Sequence, residues 1–350
     1  MHSDKRSRQQ REHDHEDFNT YTPRRKRSQK YNKKSKKTIW RVTISFVLLI
    51  LVGVGYIVTQ TWGAIAKGHD DKGKSDLRDN QVSMEEPFTM LLLGTDQRGA
   101  KSTNWRPDVM MVVAINPKTK SAKVLSIPRD TYVPIANTDE KAKINAAAYY
   151  GKLKNVDMVQ NVRKTIENWL NIPIDYYARI NFQGFTDIVD TLGGVDVTVQ
   201  REFKQQMIGG QMAHFKPGKS HLNGAQALAY VRMRKQDPLG DKGRNMRQQE
   251  VIHQLMDKMV SFESIAKFNS LVQAVGNNFT YSFKPNQFLD LKNIYSEIPR
   301  NKIKTIQLKS TADPQRNYIE LVSEQELARV TKELQDQLEL KPTIQKANGG

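Results

Sequence analysis

From Val42 to Ala66 the chain carries no charged residue, and the stretch VTISFVLLILVGVGYIV within it is almost wholly apolar. That run restricts what the rest can be. A helix rises 1.5 Å per residue, so about 20 residues cross a bilayer core of roughly 30 Å. Trp40 and Trp62 stand at its two edges, where amphipathic rings favour the headgroup region. We therefore expect a single transmembrane helix at 39–62. The rival reading is a cleaved signal peptide, with Ala64-Ile65-Ala66 as a small-x-small cleavage site. It fits less well, because the preceding basic region is too long and the apolar run exceeds a usual signal core.

Charge sets the orientation. The 350 residues include 55 Lys plus Arg and 37 Asp plus Glu, a net of +18. Residues 1–41 alone hold 14 basic and 5 acidic side chains. A basic cluster immediately before the apolar run places the N-terminus in the cytoplasm and everything downstream outside. Residues 1–38 have almost no aliphatic side chains and read as a disordered cytoplasmic tail. Residues 63–86 read as a polar stalk, 87–340 as an extracytoplasmic domain and 341–350 as a loose tail. The chain has no cysteine, which excludes disulfides, Cys-ligated metals and a thiol nucleophile. Its basic balance points to an anionic partner: nucleic acid, a phosphorylated substrate or a membrane surface. Composition does not choose among them.

Past Pro87, short apolar runs alternate with helical patterns. Phe88–Leu93, Val109–Ile115 and Lys123–Ile127 read as strands, the last two as a hairpin through Asn116-Pro117-Lys118-Thr119-Lys120. Tyr176–Ile180, Val195–Val199 and Ile303–Leu308 read as further strands. Asn145–Lys154, Val156–Leu170, Phe182–Leu192, Leu222–Tyr230, Arg244–Phe262 and Glu324–Leu338 read as helices, with Gly193-Gly194 ending the third. This interleaving favours a layered α/β domain with a central sheet. The stretch Arg201–Ser220, with Gly209-Gly210, reads as a long mobile loop rimming a site.

Charged residues gather at the ends of these elements. Asp96 follows the first strand on a glycine-flexed turn, a common ligand position in α/β folds. Asp108 precedes the second strand and Arg129 follows the third, so a hairpin sets them side by side, and Asp96 joins them at one edge. If Val231–Arg234 is extended, Arg232 and Arg234 point to the same side. If the next segment is helical, Asp241, Arg244, Arg247 and Gln248 share a face. Arginine forks suit diphosphate oxygens, and carboxylates among them either hold the arginines or bind a hard cation such as Mg²⁺. Each pair taken alone is most simply a surface ion pair. No Ser/His/Asp arrangement stands out, and the histidines form no cluster. Val109, Met111, Val113, Phe182, Phe185, Ile188 and Val189 are apolar residues that suit the wall of a slot and that core packing explains equally well.

Five segments in order resemble the LytR–CpsA–Psr (LCP) family: LLLGTDQRG, RPDVMMVVAINPKTKSAKVLSIPRDTYV, KINAAAYYG, INFQGFTDIVDTLGGVDV and LNGAQALAYVRMRKQDPLGDKGRNMRQQEVI. The resemblance covers about half of the chain, from Pro87 to Met259. It implies a three-layer α/β/α sandwich with a central mixed sheet, whose sheet and helices enclose a polyprenyl tail. It also implies an enzyme that moves a glycopolymer, such as teichoic acid or capsule, from an undecaprenyl-pyrophosphate carrier onto a peptidoglycan hydroxyl. It further implies that Asp96 and Asp108 bind magnesium and that Arg129, Arg232, Arg234 and Arg244 bind pyrophosphate, with Asp241 supporting them. Arg98, Arg106, Asp130, Lys143, Asn145, Arg247 and Gln248 match more loosely. Asp130, Asp96 and Asp241 are all open as general base. Two rival classes are a membrane-tethered regulator whose basic arm binds nucleic acid and a glycosidase with paired carboxylates. The regulator predicts strongly salt-dependent binding by residues 1–41, the glycosidase would not need several arginines, and no nucleic acid is expected as a partner.

Overall fold

The computed structural model describes residues 75–97, 104–260, 275–276, 278–284, 287–316 and 318–340. The tail, the transmembrane expectation at 39–62, Arg98 and residues 341–350 lie outside the described residues. Among those described, no helix is long and apolar enough to cross a membrane.

In chain order the elements are β1 Phe88–Thr95, β2 Pro107–Asn116, β3 Ser121–Ser126, β4 Tyr132–Pro134, β5 Lys141–Lys143, α1 Ala147–Leu153, α2 Met158–Leu170, β6 Tyr176–Asn181, α3 Phe182–Thr191 and β7 Val195–Val199. They continue as β8 Phe203–Gln206, β9 Met212–Phe215, β10 Gly218–Leu222, α4 Gly224–Arg232, α5 Asp241–Val260, β11 Phe279–Tyr281, α6 Gln287–Glu297, β12 Ile303–Ile306, β13 Thr311–Asp313, β14 Ile319–Leu321 and α7 Glu324–Gln337. Six strands form the central sheet in the order β11-β6-β1-β2-β3-β12. The sheet is mixed: β1 runs antiparallel to β2 and parallel to β6, and β3 runs parallel to β12.

Helices cover both faces, which is why the central strands are apolar on both sides. On one face Leu91, Leu93, Val112 and Leu125 pack with Val162 and Ile166 of α2 and Val330 and Leu334 of α7. The pattern in α2 follows from its ends: the Asp157 carboxylate accepts from the Val159 and Gln160 amides, and Asn171 closes it in the left-handed conformation. On the other face α3 and α4 approach closely. Gly224 allows this, because a Cβ there would collide with the Thr186 carbonyl, and Asn223 with Gln226 forms a capping box that starts α4 at that point.

Two expectations change. Residues 75–86, read as stalk, lie against the domain. Val82 and Met84 are buried with Phe88 and Tyr176, and Arg78 donates twice at 3.0 Å to the Asp175 carboxylate. That carboxylate also accepts from the Thr89 amide at 2.9 Å. The segment Arg201–Ser220 is an ordered hairpin, β8–β9, followed by β10 paired to β7. Alternation of buried Phe203, Ala213 and Phe215 with polar neighbours is the signal for it, diluted by the glycines.

The start of α7 is stitched to the chain after β12. Glu326 accepts from the Lys309 amide at 2.9 Å and from Arg329 on both carboxylate oxygens. The Arg329 guanidinium, aided by that amide, holds the Glu326 carboxyl down at about 2. A depressed folded value means that its stabilisation is complete above the ordinary carboxylate range and is lost as pH falls from about 4.5 toward about 2. Glu326→Gln is expected to cost about 1–2 kcal/mol at neutral pH. The gap from the unaltered chain should close through that acid window, as read by denaturant melts at stepped pH.

Candidate functional site

The charged mouth forms where β1 ends and β2 begins. Asp108 opens β2 and Arg129 follows β3, and an Arg129 guanidinium nitrogen donates to the Asp108 carboxylate at 2.7 Å. This adjacency is a property of the hairpin: β2 and β3 pair in register from Asn116↔Ser121 to Met111↔Ser126. Beyond the pairing, the two flanking residues emerge together.

Next to that pair, Asp130 gathers three cations. Its carboxylate lies 2.9 Å from the Lys143 ammonium, 3.6 Å from Arg129 and 3.9 Å from Arg234. The backbone fixes the hub. The Asn145 amide donates to the Arg129 carbonyl at 3.2 Å, the Ile144 amide to Thr131 at 2.8 Å and the Glu320 amide to Asp130 at 2.9 Å. Asn145 thus contributes a main-chain bond that shapes the turn.

Arg232 is the last residue of α4, and its guanidinium stacks 5.0 Å above the Phe182 ring. Met233 follows in extended conformation with its side chain buried, so Arg234 emerges on the same side as Arg232. The two arginines share a side, but a helix end followed by one extended residue achieves it, not a strand. From α5, Arg244 and Gln248 are one turn apart and both largely buried, 6% and 7% exposed. Asp241 opens this helix, with its side chain outside the described residues.

These groups rim a cavity of about 530 Å³ lined by Asp108, Arg129, Arg232, Arg234, Arg244 and Gln248 at its polar end. Its apolar walls come from Val109 on the sheet, Phe182, Phe185 and Ile188 on α3, and Val231 and Leu255 on α4 and α5. Phe182, Phe185 and Ile188 repeat every three residues, which keeps them on one helix face. A buried slot with cations at one end is chemically suited to an amphiphile with an anionic head.

Several expected residues lie elsewhere. Met111 is 1% exposed within the sheet, and Val113, four residues beyond Val109 or about 13 Å along a strand, is not among the lining residues. Val189 is fully buried with Val195 and Leu228. It is turned about 100° from Ile188 around α3. Arg106 and Asp96 are exposed and bind each other: the Arg106 amide donates to the Asp96 carboxylate at 3.0 Å, and the Asp96 amide to the Arg106 carbonyl at 3.3 Å. Asp96 therefore sits at the same sheet edge, outside the cavity lining.

Arg247 is a structural clamp. It donates to the Tyr230 carbonyl at 3.1 Å, to the Met233 carbonyl at 2.5 Å and to the Asp237 carboxylate. Burial pushes the Asp237 carboxyl up, but Arg247 and the Leu239 amide outweigh it and hold it below its ordinary range. Asp237 and Arg247 fix the turn that carries Arg234. Sequence reading missed Asp237, as it missed Lys235 and Gln205 in the cavity lining. The i, i+3 spacing of Leu228 and Val231 is the signal for the α4 wall.

The family model described as "LytR_cpsA_psr family" matches residues 53–336. A protein of Bacillus subtilis (strain 168) named polyisoprenyl-teichoic acid–peptidoglycan teichoic acid transferase TagV is 37% identical over 321 residues, 88% of this chain and 81% of the relative. A TagU of the corresponding name from Bacillus anthracis (strain CDC 684 / NRRL 3495) is 40% identical over 273 residues, 77% and 86% of the two chains. The crystal structure of B. subtilis TagV superposes with a TM-score of 0.63, covering 74% of this chain and 99% of that one at 37% identity. A structure described as TagT bound to LI-WTA gives 0.65, over 78% and 100%, at 32% identity. Matched over most of its length, by sequence and by fold, this chain belongs to the LytR_cpsA_psr family.

Proposed function

We propose that the chain transfers a teichoic-acid-type phosphoglycopolymer from an undecaprenyl-pyrophosphate-linked donor to a peptidoglycan hydroxyl, forming a phosphodiester. The observation that carries this is the arginine-rimmed mouth of an apolar cavity. The names of the relatives, transferases of polyisoprenyl-linked teichoic acid to peptidoglycan, support it.

In this reading the prenyl chain occupies the slot between the sheet and Phe182, Phe185 and Ile188. Arg129, Arg232, Arg234 and Arg244 grip the diphosphate. The acceptor hydroxyl attacks the sugar-proximal phosphorus. The P–O bond to the lipid-side phosphate breaks, polyprenyl phosphate leaves, and one proton is released. The cations stabilise the charge that gathers on the leaving phosphate. No nucleotide is needed, since the pyrophosphate bond supplies the driving force.

Asp108 and Asp96 are the residues that would hold magnesium. Asp108 lines the cavity and Asp96 stands at the same sheet edge, and such a sparse donor set suits Mg²⁺, which commonly takes one or two carboxylates with water and substrate phosphate. When bound, the ion would neutralise charge on the diphosphate oxygens. We place this domain outside the cell, anchored by residues 39–62 with the N-terminus in the cytoplasm.

The test incubates the full chain with a synthetic polyprenyl-pyrophosphate glycan, peptidoglycan oligomers and Mg²⁺, followed by mass spectrometry. A phosphodiester adduct and polyprenyl phosphate are expected. Chelation should lower the yield by about tenfold or more, with recovery on adding Mg²⁺. Release of reducing sugar with no adduct would point to a glycosidase instead.

A further inference from the structure

The hairpin β8–β9 stands beside the cavity and ends in open space. Its base is fixed. Phe203 and Phe215 stack at 4.5 Å and rest on Tyr230. The backbone of Lys204 makes two hydrogen bonds with the Gln236 side chain, in the turn that follows Arg234 and Lys235. Gln205, on the same strand, lines the cavity.

The tip is built differently. The Met207 amide donates to the Gln211 carbonyl at 2.8 Å to close it. Gly209 and Gly210 take φ values of 103° and 93°, and nothing lies within 4 Å of where a side chain would begin. Ile208 is 55% exposed and Met212 57%. Two large apolar side chains held in water at the end of an ordered arm mark a contact surface. From Phe203 to Leu222 the chain has three lysines and no acid, and Glu202, just before β8, is engaged by His214 of β9 at 2.7 Å. Such a surface complements one that is anionic and apolar beneath.

We infer that the tip from Ile208 to Met212 inserts into the headgroup layer of an anionic bilayer and holds the cavity mouth against the lipid surface. This rests on the proposed membrane-borne donor. Apolar side chains gain by leaving water for the interface, and lysines are drawn to the negative surface. The donor's diphosphate then meets Arg232 and Arg234 at headgroup height, and its prenyl chain passes from one apolar medium to another.

The chain has no cysteine, so Ile208→Cys provides a single attachment point for an environment-sensitive fluorophore. The labelled full chain is reconstituted in phosphatidylglycerol vesicles containing a spin-labelled lipid quencher. The control carries its label at Lys118→Cys, in the exposed β2–β3 turn. That turn lies roughly 30 Å along β2 from the mouth. The label at 208 should shift to the blue and lose about half its emission or more to the quencher, and the label at 118 should do neither. A label at 208 that escapes quenching overturns the inference. So does a blue shift without quenching, which indicates contact with another protein copy.

A second arm uses Ile208→Asp with Met212→Asp. Transfer from a vesicle-borne long-chain donor should fall by about tenfold or more, while transfer from a water-soluble short-chain donor stays unchanged. Equal loss on both donors would assign the hairpin to the reaction itself and overturn the inference. An unaltered chain that uses neither donor would sink the proposed transfer, and the quenching result would still decide the hairpin.

Discussion

Replacing Arg232 and Arg234 together by alanine is expected to reduce transfer by about 10³-fold or more, with the fold intact. Single donors aimed at developing negative charge are commonly worth 10²–10³ in rate, and this change removes two. Both side chains line the cavity at the end of α4, beyond its buried face. Their loss removes the stacking of Arg232 on Phe182 and the approach of Arg234 to Asp130, and leaves the buried residues of α4 in place. Thermal melts should therefore move little. The lysine pair should recover only part of the activity, because an ammonium is a point charge without the bidentate fork. Arg247→Ala is the contrasting case. It takes three bonds from the Tyr230–Asp237 turn and should lower the melting temperature along with activity. A double variant that retains normal rates would remove the basis of the proposed function.

The second large effect concerns Asp130. Asp130→Asn keeps the shape of the residue and removes the charge that Lys143, Arg129 and Arg234 share. The mouth then becomes more positive, so simple attraction of an anionic donor is not weakened. What is lost is alignment, and displacements of an ångström can cost about 10²-fold. We expect kcat to fall by about 10²-fold and KM to change by less than about threefold, measured with a soluble short-chain donor. A fall confined to KM would show that Asp130 acts through donor affinity instead.

How much of this was readable in advance follows from how local each relation is. Asp108 and Arg129 are joined by one hairpin, and its alternating strands and Asn116-Pro117 turn are written in adjacent residues. Their contact was legible. The central strands were legible for the same reason, as short apolar runs bounded by turn residues. Which way a helix faces is decided by its partners, often a hundred residues away. Val189 and Ile188 look alike in sequence, yet one is in the core and the other lines the cavity. Arg247 and Arg244 both suit a phosphate, but only the fold reveals that Arg247 is engaged by backbone carbonyls. The β8–β9 hairpin was missed because its strands have four residues each, too few for alternation to outweigh two adjacent glycines.

The lock between Arg78 and Asp175 bears on how the domain carries mechanical load. Tension arriving from the chain before Ser75 meets this bidentate bond and the Tyr176–Val82 bond ahead of any strand. Behind them lies β1, bonded along its length to β2 and β6, so pulling on it would have to shear two ladders at once. On the proposed anchored arrangement, a tether attached there would leave the cavity mouth, at the far end of the same strand, undisturbed.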